Sequence, residues 1–201
     1  MNLNSYQFPV QLAGNLCLNF TNTIEFRESE ACLEFLHSYD QALAWCHMND
    51  LISESDALRL EHAAMERPGE AEAAFHAVLD LRETLYRIFT AVIADQAPAA
   101  ADLARLNQTL APPRQIAAQD GRFQWRWVQS DDFTHILAPI ALAAAELLTS
   151  NQLQWVHQCP NCGWLFLDTS RNHSRRWCSM DFCGSQVKSR RQYERRKRNN
   201  I

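Results

Sequence analysis

The sequence predicts an α+β chain: a mostly helical N-terminal domain with a small antiparallel sheet, followed by a small C-terminal module built on clustered cysteines. Three observations predict it. Apolar residues recur at three- and four-residue steps through much of the first 150 positions. One stretch, residues 114–128, alternates instead and contains the turn signal Asp120-Gly121. Four of the seven cysteines fall between positions 159 and 183.

Composition sets the class. Hydrophobic residues make up 47% and charged residues 21% of 201 positions, as in folded globular chains. No run of about 20 apolar residues occurs, which excludes a transmembrane helix. Met1 to Val10 lacks a basic start and an apolar run, so the expected compartment is the cytoplasm. The net charge of -4 conceals an asymmetry: residues 1–158 hold nine Lys and Arg against twenty Asp and Glu, whereas residues 159–201 hold ten against three. A basic module on an acidic body points to a polyanionic partner. The shift in charge and cysteine content divides the chain into domains 1–155 and 156–201.

Taken in order, Leu16, Leu18 and Phe20 alternate with polar or small residues after Gly14, a period of two that predicts a strand. Ser38 and Gln41 form a capping-box pattern ahead of a short helix through Trp45. Ser53 and Asp56 open another helix, which Pro68-Gly69 ends. The longest helical pattern places Phe75, Val78, Leu79, Arg82, Leu85, Ile88, Phe89 and Val92 on one face, with Glu72, Asp80 and Glu83 in water. Pro98 closes it. A helix with Leu103, Leu106 and Leu110 follows, and Pro112-Pro113 stops it. After the hairpin, Ser130-Asp131-Asp132 caps an Ala/Leu-rich helix to about Thr149, kinked or delayed by Pro139.

The cysteines read C-x2-C-x15-C-x4-C: Cys159, Cys162, Cys178 and Cys183. Two close pairs supply four thiolates to a tetrahedral Zn2+, and four thiolates leave no position for a catalytic water. One structural zinc is therefore expected, with Trp164, Phe166, Trp177 and Phe182 around it. His157 and His173 flank the site as substitutes for a cysteine. A module of some 40 residues has little core of its own, so metal binding would supply much of its folding free energy.

Two basic segments surround the second cysteine pair. The loop from Arg171 contains Arg175 and Arg176. The segment from Val187 contains Lys188, Arg190, Arg191, Arg195, Arg196, Lys197 and Arg198, with no Pro or Gly, and is expected to be helical. Lys188, Arg191, Arg195 and Arg198 then share one stripe. The predicted nucleic-acid contacts are Arg171, Arg175, Arg176, Lys188, Arg190, Arg191, Arg195, Arg196 and Arg198. The competing reading is a solvated charged tail; one-sided charge on a metal-organised frame argues against it.

The stretch Cys159-Pro160-Asn161-Cys162-Gly163-Trp164-Leu165-Phe166-Leu167-Asp168-Thr169-Ser170, followed by Arg175-Arg176-Trp177-Cys178-Ser179-Met180, resembles the CGNR zinc finger. That module ends bacterial proteins whose N-terminal domain is called ABATE. Leu12-Ala13-Gly14-Asn15-Leu16-Cys17-Leu18-Asn19-Phe20-Thr21-Asn22-Thr23 is similar to the opening of that domain. The resemblance implies a DNA-binding, stress-responsive transcription regulator with a treble-clef-like knuckle and helix. One departure stands out: where the family has Cys-Gly-Asn-Arg, this chain has Cys183-Gly184-Ser185-Gln186. The ligand and glycine remain; the Asn and Arg do not.

The leading expectation is thus a zinc-dependent DNA-binding regulator whose acidic N-terminal domain senses a small-molecule ligand or forms a homodimer. The alternatives are an RNA-binding module, and a protein-interaction module that docks the basic helix on an acidic surface. An enzyme is not expected. Glu25, Arg27 and His37 have no catalytic spacing, and Cys17, Cys32 and Cys46 read as core residues. Trp125 and Trp127 read as core residues before pocket liners.

Overall fold

The structure, a computed structural model, describes residues 6–27, 29–110, 114–119, 122–127 and 132–199, without the side chains of 114–127 and 199. The described chain is mostly helical, with three two-stranded antiparallel sheets. It contains no helix long and apolar enough to cross a membrane.

The first element departs from its predicted period. Leu16–Thr21 is a helix, α1, and not a strand. Asn15 caps it by accepting the Cys17 N–H at 2.9 Å. Cys17, Leu18, Phe20 and Thr21 are all buried, so the short helix is apolar nearly all round and its alternation carries no facial information. Strands β1 (Ile24–Glu25) and β2 (Leu33–Glu34) then form a minimal pair.

Helix α2 spans Tyr39–Met48 and α3 spans Glu54–Glu66. Their predicted caps form: Ser38 Oγ accepts the Gln41 N–H at 3.3 Å, and Ser53 Oγ accepts the Asp56 N–H at 3.1 Å. Pro68 does more than end α3. It stands in the first turn of α4, Pro68–Ile93, where its missing N–H costs nothing and its fixed φ suits a helix start. Only Arg67 separates the two helices.

Helix α4 is the spine of the body. Val78, Leu81, Leu85, Ile88 and Phe89 are essentially fully buried, each contributing about 2 kcal/mol of hydrophobic stabilisation. They share one core with Leu18, Phe20, Leu43 and Trp45, and with Ile136, Leu137 and Ile140. Helix α5, Ala100–Thr109, packs on α4. Strands β3 (Arg114–Gln119) and β4 (Arg122–Trp127) form the expected hairpin, Arg114 opposite Trp127 and Gln119 opposite Arg122. The Asp120-Gly121, Pro112-Pro113 and Ser130-Asp131 signals lie outside the described residues, as do the side chains of Trp125 and Trp127. Asp132 caps a 3-10 turn at Phe133–Leu137, and α6 begins only at Ala138, delayed to Pro139 as predicted, and ends at Leu148.

Glu83 is not the solvated residue that the helical pattern implies. Arg82 is 3% exposed and grips Glu34 with two hydrogen bonds, 2.6 and 2.7 Å, while its Nε meets Glu83 at 2.9 Å. Arg27 also pairs with Glu83, donates to the Thr21 carbonyl, and lies over the Tyr86 ring at 4.1 Å. The network thus ties β2, the end of α1 and Arg27, which follows β1, to α4. Burial alone would raise the Glu83 pKa, but hydrogen bonds and charge from Arg27 and then Arg82 outweigh it and hold the carboxyl below the usual 4.5. A depressed acid stabilises the fold above its unfolded pKa and ceases to do so as pH falls through the folded value. Acid unfolding should therefore steepen below about pH 4.5, and Glu83→Gln should flatten that limb in a urea-melt series across pH.

Candidate metal centre and basic helix

After α6, strands β5 (Val156–Gln158) and β6 (Leu165–Leu167) pair antiparallel, Val156 opposite Leu167. Their connection is a metal knuckle. Cys159 N–H donates to the Trp164 carbonyl at 2.8 Å and Gly163 N–H to the Cys159 carbonyl at 2.9 Å. Gly163 stands at φ +79°, a left-handed position that suits glycine. This turn aims Cys159 and Cys162 to the same side.

The second pair comes from a different kind of turn. Cys178 precedes a single π-type turn, Met180–Gly184, that carries Cys183 and runs directly into helix α7, Ser185–Asn199. Ser179 Oγ accepts the Phe182 N–H at 3.3 Å and caps the turn. Gly184 is buried under Met180. A Cβ there would lie 2.9 Å from the Met180 sulfur and 3.3 Å from Trp177 Cδ1, so the flexible Met180 side chain would have to shift.

All four sulfurs lie within 4.8 Å of one another, and each cysteine is at most 3% exposed. Cys162 and Cys178 are 3.6 Å apart and Cys178 and Cys183 3.5 Å, too far for disulfides. A tetrahedron of sulfurs about 2.3 Å from zinc has edges of about 3.8 Å, so the cluster has the size of one ZnS4 unit. S–H donation from Cys162 and Cys178 pushes the Cys159 thiol down, while the same crowding pushes Cys162 and Cys178 up. A second anion beside the first is unfavourable until a divalent cation arrives. The donor set thus fits one structural Zn2+, with no coordination position left for chemistry.

Neither flanking histidine belongs to this group. His157 packs against the Phe166 ring at 5.8 Å. His173 stacks on Trp155 at 3.7 Å and its Nδ1 meets the Asp168 carbonyl. Around the sulfurs, Trp164 and Phe166 are buried and Trp177 is half-buried, as expected. Phe182 is not: it is 55% exposed, because the π-type turn rotates it away from the sulfurs while bringing Cys183 in. Its place against the cluster is taken by Phe26 from the N-terminal body.

Of the predicted nucleic-acid residues, Arg171, Arg176, Lys188, Arg190, Arg191, Arg195, Arg196 and Arg198 are exposed. Arg190 approaches Glu194 at 3.4 Å one turn on. Arg176 lies 5.1 Å over the Trp177 ring. Arg175 has a different role. Its guanidinium donates to the carbonyls of Trp177, Cys178 and Leu12 and lies 4.8 Å over Phe166. These contacts tie the backbone at Cys178 to Leu12 of the body and to Phe166 of β6, and turn the charge inward.

Several residues that spacing did not mark build this centre. Asp168, 1% exposed, accepts the backbone N–H groups of Ser170 and Arg175 at 2.9 and 2.8 Å and so shapes the basic loop. Burial would raise its pKa, yet those bonds and His173 hold it below the usual value. Asn161 donates to Gln186 Oε1 at 3.0 Å, so the residue standing where the family motif has arginine ties the knuckle to the first turn of α7. Asn22 is hydrogen-bonded to both the N–H and the carbonyl of Leu165. Trp164 Nε1 donates to the Ile24 carbonyl at 3.0 Å, and Phe26 N–H to the Cys162 carbonyl at 3.2 Å. Such pairs, some 140 residues apart in the chain, leave no periodic signal.

The family model ABATE, described as "Putative stress-induced transcription regulator", matches residues 14–151. A second model, described as CGNR zinc finger, matches residues 156–196. No curated protein matches the chain.

Proposed function

The chain belongs to the ABATE family, and on that premise we propose that it is a regulator that binds DNA through its zinc module and takes its input through the acidic body. The observation that carries the reading is the disposition of α7. Lys188, Arg190, Arg191, Arg195, Arg196 and Arg198 are all exposed on a helix that the zinc-bearing turn starts and orients. A solvated tail needs no such anchorage. Cys183 and Gly184 lie two and one residues before the helix, and Asn161 holds its first turn. Arg171 and Arg176 extend the positive surface onto the adjoining loop. The proposed domains, 1–155 and 156–201, divide input from DNA contact, with ligand sensing or dimerisation assigned to the first.

Arg and Lys on phosphates position a protein without reading sequence, so the first measurable property is salt dependence. Duplex affinity of the zinc-loaded protein, followed over a salt series, should give a log–log slope worth several phosphates. Arg191→Ala and Arg195→Ala should each lower that slope by about one while zinc content stays constant. Equal binding by the double variant at every salt concentration would remove α7 from the interface.

A further inference from the structure

Among the Phe, Trp and Tyr residues whose side chains are described, all are buried or half-buried except two: Phe182, 55% exposed, and Tyr193, 69% exposed. Tyr193 lies on the basic helix, and Phe182 on the turn that leads into it. Met180, 52% exposed, adds a third large apolar side chain to the same turn. Single exposed hydrophobics are normal on any protein surface. What is informative is that the exposed aromatics coincide with the strongest positive charge in the chain.

Phe182 is exposed but held. Its N–H donates to Ser179 Oγ, its carbonyl accepts from Ser185 Oγ at 2.9 Å, and its neighbour Cys183 belongs to the metal cluster. Tyr193 lies two turns beyond Gln186 on one side of α7, and Phe182 stands on the π-type turn that runs directly into that helix. The opposite side carries Lys188, Arg191, Arg195 and Arg198. Arg190, Arg196 and Lys197 flank Tyr193, so the aromatic side is also basic. Rigid aromatics among arginines are what an unstacked base requires: a flat apolar face, with cations for the adjacent phosphates.

We propose that this face binds DNA whose bases are unpaired or unstacked, with Phe182 and Tyr193 each stacking on one base. The proposal rests on the nucleic-acid reading above and specifies its substrate. Eleven residues of helical chain place the two backbone positions about 16 Å apart along the axis. At about 3.4 Å per stacked nucleotide, the two stacking positions are about five nucleotides apart. Met180, beside Phe182, offers the apolar edge that keeps an opened step from restacking. Asp181, in the same turn, is exposed, and a carboxylate repels phosphate but accepts from a base amino group, so a base edge suits this tip better than a phosphate.

The test uses the full zinc-loaded chain and three DNA probes of one sequence: an intact duplex, the same duplex with a five-nucleotide mismatched bubble, and the single strand. The bubble or single strand should bind at least about tenfold more tightly than the duplex at equal salt. Phe182→Ala and Tyr193→Ala should each weaken bubble binding by about tenfold, with zinc content and the salt slope unchanged. Salt-dependent binding that is equal on all three probes, and indifferent to both substitutions, would overturn this inference and leave the regulator reading intact. Absence of binding to any probe would overturn both. Concentration-dependent self-association, abolished by Phe182→Ala while DNA affinity stays constant, would instead assign the patch to a second copy of this chain.

Discussion

Stripping the metal should take the protein from one zinc per chain to none and unfold residues 156–184 as a unit, with a fall in Tm of at least about 10 °C for the whole molecule. Three features set that magnitude. The first is the cluster itself: structural zinc binding by four thiolates contributes about 10–16 kcal/mol in small zinc modules near neutral pH. The second is the scarcity of anything else to hold the module's far half together. Cys178 and Cys183 are buried in a small cluster with Cys159, Cys162, Trp164 and Phe166, to which their own half of the module adds only Trp177. The third is continuity. Val156, Leu165 and Leu167 belong to the same apolar core as Leu85 and Phe20, so the body does not stay indifferent when β5 and β6 loosen. A chain of about this size shifts in Tm by about 2–4 °C per kcal/mol, so a loss of only 3–5 kcal/mol from the shared core is enough. Cys178→Ser should reproduce most of the effect, whereas Cys32→Ser, at an exposed cysteine outside the cluster, should change neither zinc content nor Tm. A Cys178→Ser protein that keeps stoichiometric zinc and its wild-type Tm would refute the assignment of that sulfur.

The elements that the sequence announced are those whose cause is local. Four thiolates at knuckle spacing, a run of arginines after a glycine, a Ser three residues before Gln or Asp: each needs only a few neighbouring residues to be recognised. The failures share the opposite property. Leu16–Thr21 reads as a strand because Leu16, Leu18 and Phe20 alternate, but a helix buried on several sides accepts any apolar order. Glu83 sits at a solvent position of the α4 pattern, yet Arg27 reaches it from 56 residues away. Phe182 looks like packing for the metal because most aromatics near cysteines are. Only the π-type turn shows that it points outward. The body's grip on the zinc module was not legible at all, because Asn22, Ile24 and Phe26 act through hydrogen bonds to residues beyond position 160.

That grip yields the second large effect, at Asn22. The residue is 5% exposed and its amide does the work of a neighbouring strand: Nδ2 donates to the Leu165 carbonyl at 2.8 Å and Oδ1 accepts the Leu165 N–H at 2.9 Å. Leu165 is fully buried, so water cannot replace either bond. Asn22→Ala leaves a buried N–H and a buried carbonyl without partners, at about 1–3 kcal/mol each. The expected cost is about 2–5 kcal/mol in denaturant unfolding, with exchange of the Leu165 amide accelerated by about a hundredfold or more, and zinc still bound. Asn22→Asp separates the two halves of the bond. A carboxylate still accepts the Leu165 N–H but faces the Leu165 carbonyl with a negative charge. The folded state then favours the protonated acid, which donates as the amide does, so the new carboxyl's pKa is raised. A raised acid is least harmful when protonated: the stability deficit of Asn22→Asp relative to wild type should be large at neutral pH and shrink as pH falls through that raised value. Asn22→Ala, having nothing to titrate, should show a deficit that is flat across the same range. If Asn22→Ala unfolds within about 0.5 kcal/mol of wild type, the amide is not what joins the body to β6, and the shared apolar core with the remaining bonds, among them Trp164 to Ile24 and Leu167 to Ala13, must hold the two together.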